Sequence, residues 1–203
     1  MVSSYIDLLE SEYGDQLDAE AEEYMHYAVD GATRMKEMID GLLAYSRVET
    51  KGGEPETVDA TDVLETTLQE LSLYLDGTDM TVEYDSLPMV RADPTQLGQV
   101  FQNLIKNAAE HGDATTVEFE GTATDDHVTL TVTDDGSGIP EGDRDRVFDI
   151  FEQSHDADGG SGIGLAVCER IVARHDGDIS VDAGPTGGAQ FTITFPATTE
   201  GSA

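Results

Sequence analysis

Tryptophan is absent from the 203 residues, cysteine occurs once, and only 10 basic side chains stand against 43 acidic ones, for a formal charge of −33. Each scarcity excludes something. One thiol, Cys168, closes no intrachain disulfide and builds no thiolate metal centre. Its setting in L-A-V-C-E-R-I-V reads as the buried face of a helix, where cysteine acts as a small apolar residue. Lysine is confined to positions 36, 51 and 106. So few cations argue against nucleic acid or an anionic membrane as a partner, since both would repel this chain through their phosphates. No apolar run approaches the length of a membrane span, and the opening M-V-S-S-Y-I-D-L-L-E has neither the basic start nor the apolar block of a secretion signal. The sequence therefore reads as cytoplasmic, with no membrane segment. Its acidic excess is spread along the whole chain rather than gathered in a tail, a surface suited to high salt, where self-repulsion is screened. That pattern predicts a halophilic source. An apolar fraction of 38% supports a sizeable core in one or two domains.

Glycine and proline interrupt the pattern at E-T-K-G-G-E-P-E, residues 49–56, which separates two segments. Before it, Leu17, Ala21, Tyr24, Ala28, Ala32, Met35, Ile39 and Leu42 recur at helical spacing, predicting a long helix over 18–48 with a bundle-type stripe. Val2, Tyr5, Ile6, Leu9 and Tyr13 predict a shorter arm over 2–13, broken at Gly14 and Asp15. The arms differ by roughly 27 Å at 1.5 Å per residue, so about 18 residues of partner helix are missing. A truncated N-terminus, with the rest of the partner upstream or on another chain, is the expectation. After the break, helices are predicted near 60–75, 94–111 and 163–175, and strands at T-V-E-Y, P-M-V-R, T-T-V-E-F-E, H-V-T-L-T-V-T, D-I-S-V-D and Q-F-T-I-T-F. Asp93-Pro94 marks a cap and a first helical turn. Hairpin strands beside three helices describe an α+β fold, a two-layer α/β sandwich, rather than a doubly wound sheet.

Three clusters carry possible chemistry. Asn103 and Asn107 lie one turn apart on one helix face, although asparagine disfavours helix interiors. They are either a polar outer face or amide oxygens for a hard cation such as Mg²⁺. D-D-G-S-G-I-P, residues 134–140, follows an alternating strand. It is either a hairpin turn or an acceptor, Asp134, facing a donor such as the amino group of adenine, with Gly136 and Gly138 allowing close approach. G-G-S-G-I-G-L, residues 159–165, places Gly160, Gly162 and Gly164 before a helix whose free amides favour phosphate. A P-loop would need lysine after its glycines, where Leu165-Ala166 stand, and a dinucleotide fingerprint would need a strand where Q-S-H-D-A-D stands. Both are excluded.

The order of asparagine helix, D-x-G-x-G, F-D-I-F and G-x-G-x-G-L resembles the ATP-binding domain of sensor histidine kinases, the histidine-kinase/gyrase/Hsp90-type fold. The first 50 residues resemble the latter part of that family's dimerisation and phosphotransfer hairpin. The resemblance implies a partial hairpin at 1–50, a linker at 51–55, an ATP-binding domain at 56–198 and a tail at 199–203. It further implies that ATP and Mg²⁺ are bound, with Asn107 as metal ligand and Asn103 beside it in the catalytic site. Asp134 would take the adenine amino group, and Gly136, Gly138 and Ile139 would shape the base pocket. Gly160, Gly162, Gly164 and Leu165 would form the phosphate side and hinge of a lid over about 152–162, anchored by Phe148 and Phe151. The implied partners are a second copy, as a homodimer through the hairpin, and the receiver domain of a response regulator.

Two departures are visible. A lysine often found three residues after the metal-binding asparagine is replaced by Glu110, leaving Lys106 or His111 as possible charge compensation. The acceptor pattern of histidine, acidic, aliphatic, basic, any residue and proline is matched by none of the five histidines. His175 is read as a charge suited to a helix C-terminus. The gyrase, chaperone and mismatch-repair relatives carry a glutamate base where Asn103 stands, and an amide cannot replace that base, which favours phosphotransfer over hydrolysis. The alternative is a nucleotide-binding regulatory or dimerisation fragment without autokinase activity.

Overall fold

A computed structural model of the chain describes residues 18–111, 114–152 and 162–197. Asp18 caps the first helix by accepting from the Ala21 amide at 2.9 Å, and α1 then runs unbroken over Ala19–Lys51. The short arm expected over residues 2–13 lies outside the described residues. Along α1, Tyr24, Tyr27, Met35, Ile39, Leu42 and Leu43 are exposed. Its last turns differ: Met38, Ala44 and Tyr45 pack against the main core, and Val48 is inside it.

The remaining elements are β1 (Glu56–Asp59), α2 (Ala60–Glu70), α3 (Ser72–Leu75), β2 (Thr81–Tyr84), β3 (Met89–Ala92), α4 (Pro94–His111), β4 (Thr116–Ala123), β5 (His127–Asp134), α5 (Gly164–Arg174), β6 (Asp178–Ala183) and β7 (Ala189–Pro196). Five strands form one sheet in the order β2-β4-β5-β7-β6, with β2 and β4 parallel and the other pairs antiparallel. Alternation sets the buried face: Val128, Leu130 and Val132 on β5 and Phe191, Ile193 and Phe195 on β7 point inward. Against it lie Leu97, Val100, Phe101, Leu104 and Ile105 of α4 and Val167, Ile171 and Val172 of α5. Each such side chain contributes about 1.5–3 kcal/mol on burial. Phe101 meets Phe119 edge to face at 5.4 Å, joining helix layer to sheet. The two-layer α+β sandwich is thus the observed fold.

Two contacts at its edges have no periodic signal in the sequence. β1 pairs antiparallel with β3, from Glu56↔Ala92 to Asp59↔Met89. E-T-V-D is too short and polar to announce a strand, so this pairing escapes periodicity. The glycine stretch after α1 is tied to the domain that follows. The Gly53 amide donates to Asp93, the Arg174 guanidinium donates to the Gly53 carbonyl at 2.7 Å, and Gln96 donates to the Val48 carbonyl at 2.7 Å.

Asp93 organises this corner, since its Oδ1 also caps α4 by accepting from Thr95 at 2.9 Å. Its own amide donates to His175 Nε2 at 2.9 Å, and His175 Nδ1 in turn donates to the Ile171 carbonyl at 2.7 Å. Accepting at Nε2 requires a neutral imidazole. Burial, the largest cause, lowers the His175 pKa. His175 is therefore a buried, uncharged crosslink and not the helix-end cation that its position suggests.

Candidate functional site

Hydrogen bonds tie the asparagine face of α4 to the start of α5, and the loop after β5 to the chain that follows α4. Asp134 ends β5 and is almost wholly buried. Its Oδ1 accepts from the Gly136 amide at 3.0 Å and from the Ala189 amide at 3.1 Å. Among the described residues Oδ2 has no hydrogen-bond partner, so one carboxylate oxygen is locked and the other is left unpaired. The lock depends on glycine. A Cβ at Gly188 would collide with the Asp134 carbonyl and Oδ1, and one at Gly138, where φ is +71°, would lie 2.6 Å from the Gly187 carbonyl. D-D-G-S-G is therefore more than a hairpin turn, because it is held against the β6–β7 turn.

Asp135 points elsewhere. It accepts from the Thr115 hydroxyl at 2.7 Å and from the Thr115 and Thr116 amides, each at 2.8 Å. These bonds, the Thr115 hydroxyl first, lower its pKa. They also tie the chain leaving α4 to the Asp134 loop, which brings the C-terminal end of α4 beside that loop.

On α4, the apolar residues face the core and leave Asn103 and Asn107, both half-buried, on the margin. Asn103 Nδ2 donates to the Gly164 carbonyl at 3.0 Å and to Cys168 Sγ at 3.6 Å, so the asparagine face abuts the start of α5. Asn107 makes no side-chain hydrogen bond among the described residues, which leaves a hard amide oxygen for a ligand. Among the described residues no group of three His, Cys, Asp or Glu side chains is placed to hold a metal ion. The donor set fits Mg²⁺ only as one amide oxygen completed by oxygens that a phosphate-bearing ligand would bring.

At the α5 end, Gly162 takes φ +64°, where a Cβ would sit 2.8 Å from the Glu152 carbonyl. The Phe151 amide donates to the Gly162 carbonyl at 2.8 Å, so residues 151 and 162 are neighbours in space. Phe148 packs on the core, whereas Phe151 is half exposed at φ +70° and meets this junction through its backbone amide. Ile139 and Leu165 are half-buried against the core, and Gly164 is the first residue of α5. Gly160, most of the expected lid and the His111 side chain lie outside the described residues.

Lys106, the other candidate for charge compensation, is engaged elsewhere. Its ammonium sits 5.7 Å from the centre of the Tyr74 ring, while the Tyr74 hydroxyl donates to Glu110 at 3.1 Å. Burial, and then the Glu110 charge, push the Tyr74 pKa up to about 12. Residue reasoning missed Arg144 and Arg146. Arg144 donates from Nε to the Ile139 carbonyl at 3.1 Å, and Arg146 pairs with Glu152 at 2.6 Å. The available signal was two of the chain's 10 basic residues flanking Asp145 in G-D-R-D-R-V, shortly after the glycine loop.

Residues 92–199 match the family described as histidine kinase-, DNA gyrase B-, and HSP90-like ATPase. Cyanobacterial phytochrome A of Nostoc sp. is 38% identical over 199 residues, covering 96% of this chain and 26% of that protein. Sensor histidine kinase RcsC of Escherichia coli is 38% identical over 119 residues, 57% of this chain and 12% of that protein. The chain spans only about a quarter of the first of these relatives. Among solved structures, the ATP binding domain of PrrB from Mycobacterium tuberculosis superposes with TM-score 0.61 at 28% identity, covering 72% of this chain and 100% of that one. Fold, motif order and these likenesses agree: the chain belongs to the family of histidine kinase-, DNA gyrase B- and HSP90-like ATPases and is homologous to its sensor histidine kinases.

Proposed function

We propose that the chain is the ATP-handling part of a sensor histidine kinase, which binds Mg·ATP and passes the γ-phosphoryl group to a histidine imidazole. The observation that carries this reading is Asp134 at the end of β5, one oxygen fixed by two backbone amides and the other without a partner among the described residues. Such a carboxylate selects a base that offers an amino group, and a base with a carbonyl at that place would repel it. Gly136, Gly138 and Ile139 shape the base pocket. The backbone amides opening α5, from Gly162 to Leu165, meet the phosphates. The Asn107 amide holds Mg²⁺, which neutralises phosphate charge when bound. With no carboxylate at position 103 to activate water, the site favours transfer over hydrolysis, and positioning dominates catalysis.

The acceptor histidine would lie on another segment or another copy, reached through the exposed face of α1, and the receiver domain of a response regulator would take the phosphoryl group next. Residues 1–50 serve as the hairpin part, 51–55 as a clamped connection and 56–198 as the nucleotide-binding domain. The acid-rich surface suits a cytoplasmic protein working at high salt. Calorimetric titration tests the nucleotide reading: ATP with Mg²⁺ should bind the chain at one site, and Asn107→Asp should weaken Mg·ATP binding at least tenfold. Absence of ATP binding to the folded wild-type chain would overturn the reading.

A further inference from the structure

We propose that Asn103 is a positioning residue that staples the first turn of α5 to α4, so that the phosphate-facing amides of α5 and the Asn107 amide keep one register. This rests on the nucleotide reading above, and it assigns Asn103 a role other than ligand to the metal.

The two hydrogens of one amide nitrogen go to acceptors one helical turn apart on α5. The Gly164 carbonyl lies at 3.0 Å and Cys168 Sγ at 3.6 Å. A carbonyl can only accept, so the nitrogen of Asn103 must face α5 and its oxygen must turn away. The Cys168 thiol in turn lies 3.9 Å from the Val100 carbonyl, back on α4, which makes Asn103, Cys168 and Val100 a short relay between the helices. Cys168 is fully buried, and burial raises its pKa to about 12, so the thiol stays neutral throughout the working range.

The first turn of α5 needs this help. Its N-cap position is Ile163, which offers no side-chain hydrogen bond, and its first residue is Gly164, which has no side chain to pack. Glycine is also the weakest common residue for holding a helical turn, apart from proline. The first turn is therefore held from outside, by a residue of α4 one turn from Asn107. Because the staple uses the Gly164 carbonyl, it leaves the backbone amides of that turn free for an anion.

The experiment compares wild type with Asn103→Ala and the near-isosteric Asn103→Asp, which lacks the donor. Affinities for ATP and for adenosine are measured by calorimetry, each with Mg²⁺ and with EDTA, alongside thermal unfolding without ligand. Losing two hydrogen bonds that hold the turn should weaken ATP binding by Asn103→Ala about tenfold in both buffers. Adenosine, which makes no phosphate contact, should bind as it does to wild type. Asn103→Asp should lose at least as much ATP affinity, because its carboxylate faces the Gly164 carbonyl. Three results would overturn the proposal: an ATP deficit present only with Mg²⁺, which would make Asn103 a metal ligand; unchanged ATP affinity; or equal losses for ATP and adenosine together with lowered unfolding temperature. Failure of the nucleotide reading is distinct, since wild type itself would then bind neither compound.

Discussion

Replacing Asp134 by asparagine changes one atom's chemistry and almost no volume, which makes it the sharpest perturbation of the site. In the wild-type chain, Oδ1 satisfies the amides of Gly136 and Ala189, and Oδ2 is left for a ligand. Asparagine has one oxygen for both tasks. If that oxygen stays with the backbone amides, an NH₂ group meets the adenine amino group, donor against donor. If it turns outward, two backbone amides face the NH₂ group instead. A hydrogen bond to a charged acceptor contributes about 1.5–3 kcal/mol, and a polar group left unpaired costs about 1–3 kcal/mol more. A net loss of about 2.5–6 kcal/mol is roughly a 70- to 20,000-fold weaker Kd. Calorimetry of ATP binding gives the number, and thermal unfolding without nucleotide checks that the fold persists. A nucleotide with a carbonyl in place of the amino group, such as ITP, should suffer far less, because the new NH₂ can donate to it. ATP affinity within threefold of wild type in a folded D134N protein would refute the reasoning.

Further outcomes follow from other contacts. Gly188→Ala would drive a methyl group into Asp134, lowering stability by about 1–3 kcal/mol and ATP affinity more than tenfold, with calorimetry and thermal unfolding separating the two effects. Val48→Ala should destabilise the chain by about 1–2.5 kcal/mol in one cooperative transition, because Val48 is only 2% exposed within the common core. A separate, earlier transition of α1 would contradict that shared packing. His175 is a base whose folded pKa is depressed, so the unfolded chain takes up its proton first as pH falls. Its contribution is full above the unfolded value of about 6.5 and declines below it, by at most about 1.4 kcal/mol per pH unit, down to the folded pKa. Stability measured between pH 7.5 and 5.5 should fall less in His175→Gln than in wild type, and parallel curves would count against the neutral crosslink.

Most of the sandwich was legible because its signals are periodic. Asp93-Pro94 opened α4 where the spacing placed it, and strict alternation in H-V-T-L-T-V-T and Q-F-T-I-T-F gave the two central strands. β1 was hidden because four residues of mixed polarity have no readable period and gain their identity only by pairing with β3. The clamp at Gly53 was hidden for a related reason: glycine and proline announce a break but not what a break will touch. At the site, the asparagines, Asp134 and the glycines were visible as residue types. Their duties were not, since Asn103 is bound to a carbonyl 61 positions away and Asp134 to an amide 55 positions away. His175 shows the same limit, because its position suggested a helix-end cation while its partner, the Asp93 amide, lies 82 positions back.

A crystal structure of this chain with Mg²⁺ and a non-hydrolysable ATP analogue examines the central claim most directly. The account predicts the adenine amino group at Asp134 Oδ2, the metal on the Asn107 oxygen, and the phosphates against the amides that open α5. A nucleotide seated elsewhere, or one whose base leaves Asp134 Oδ2 without a partner, would contradict it.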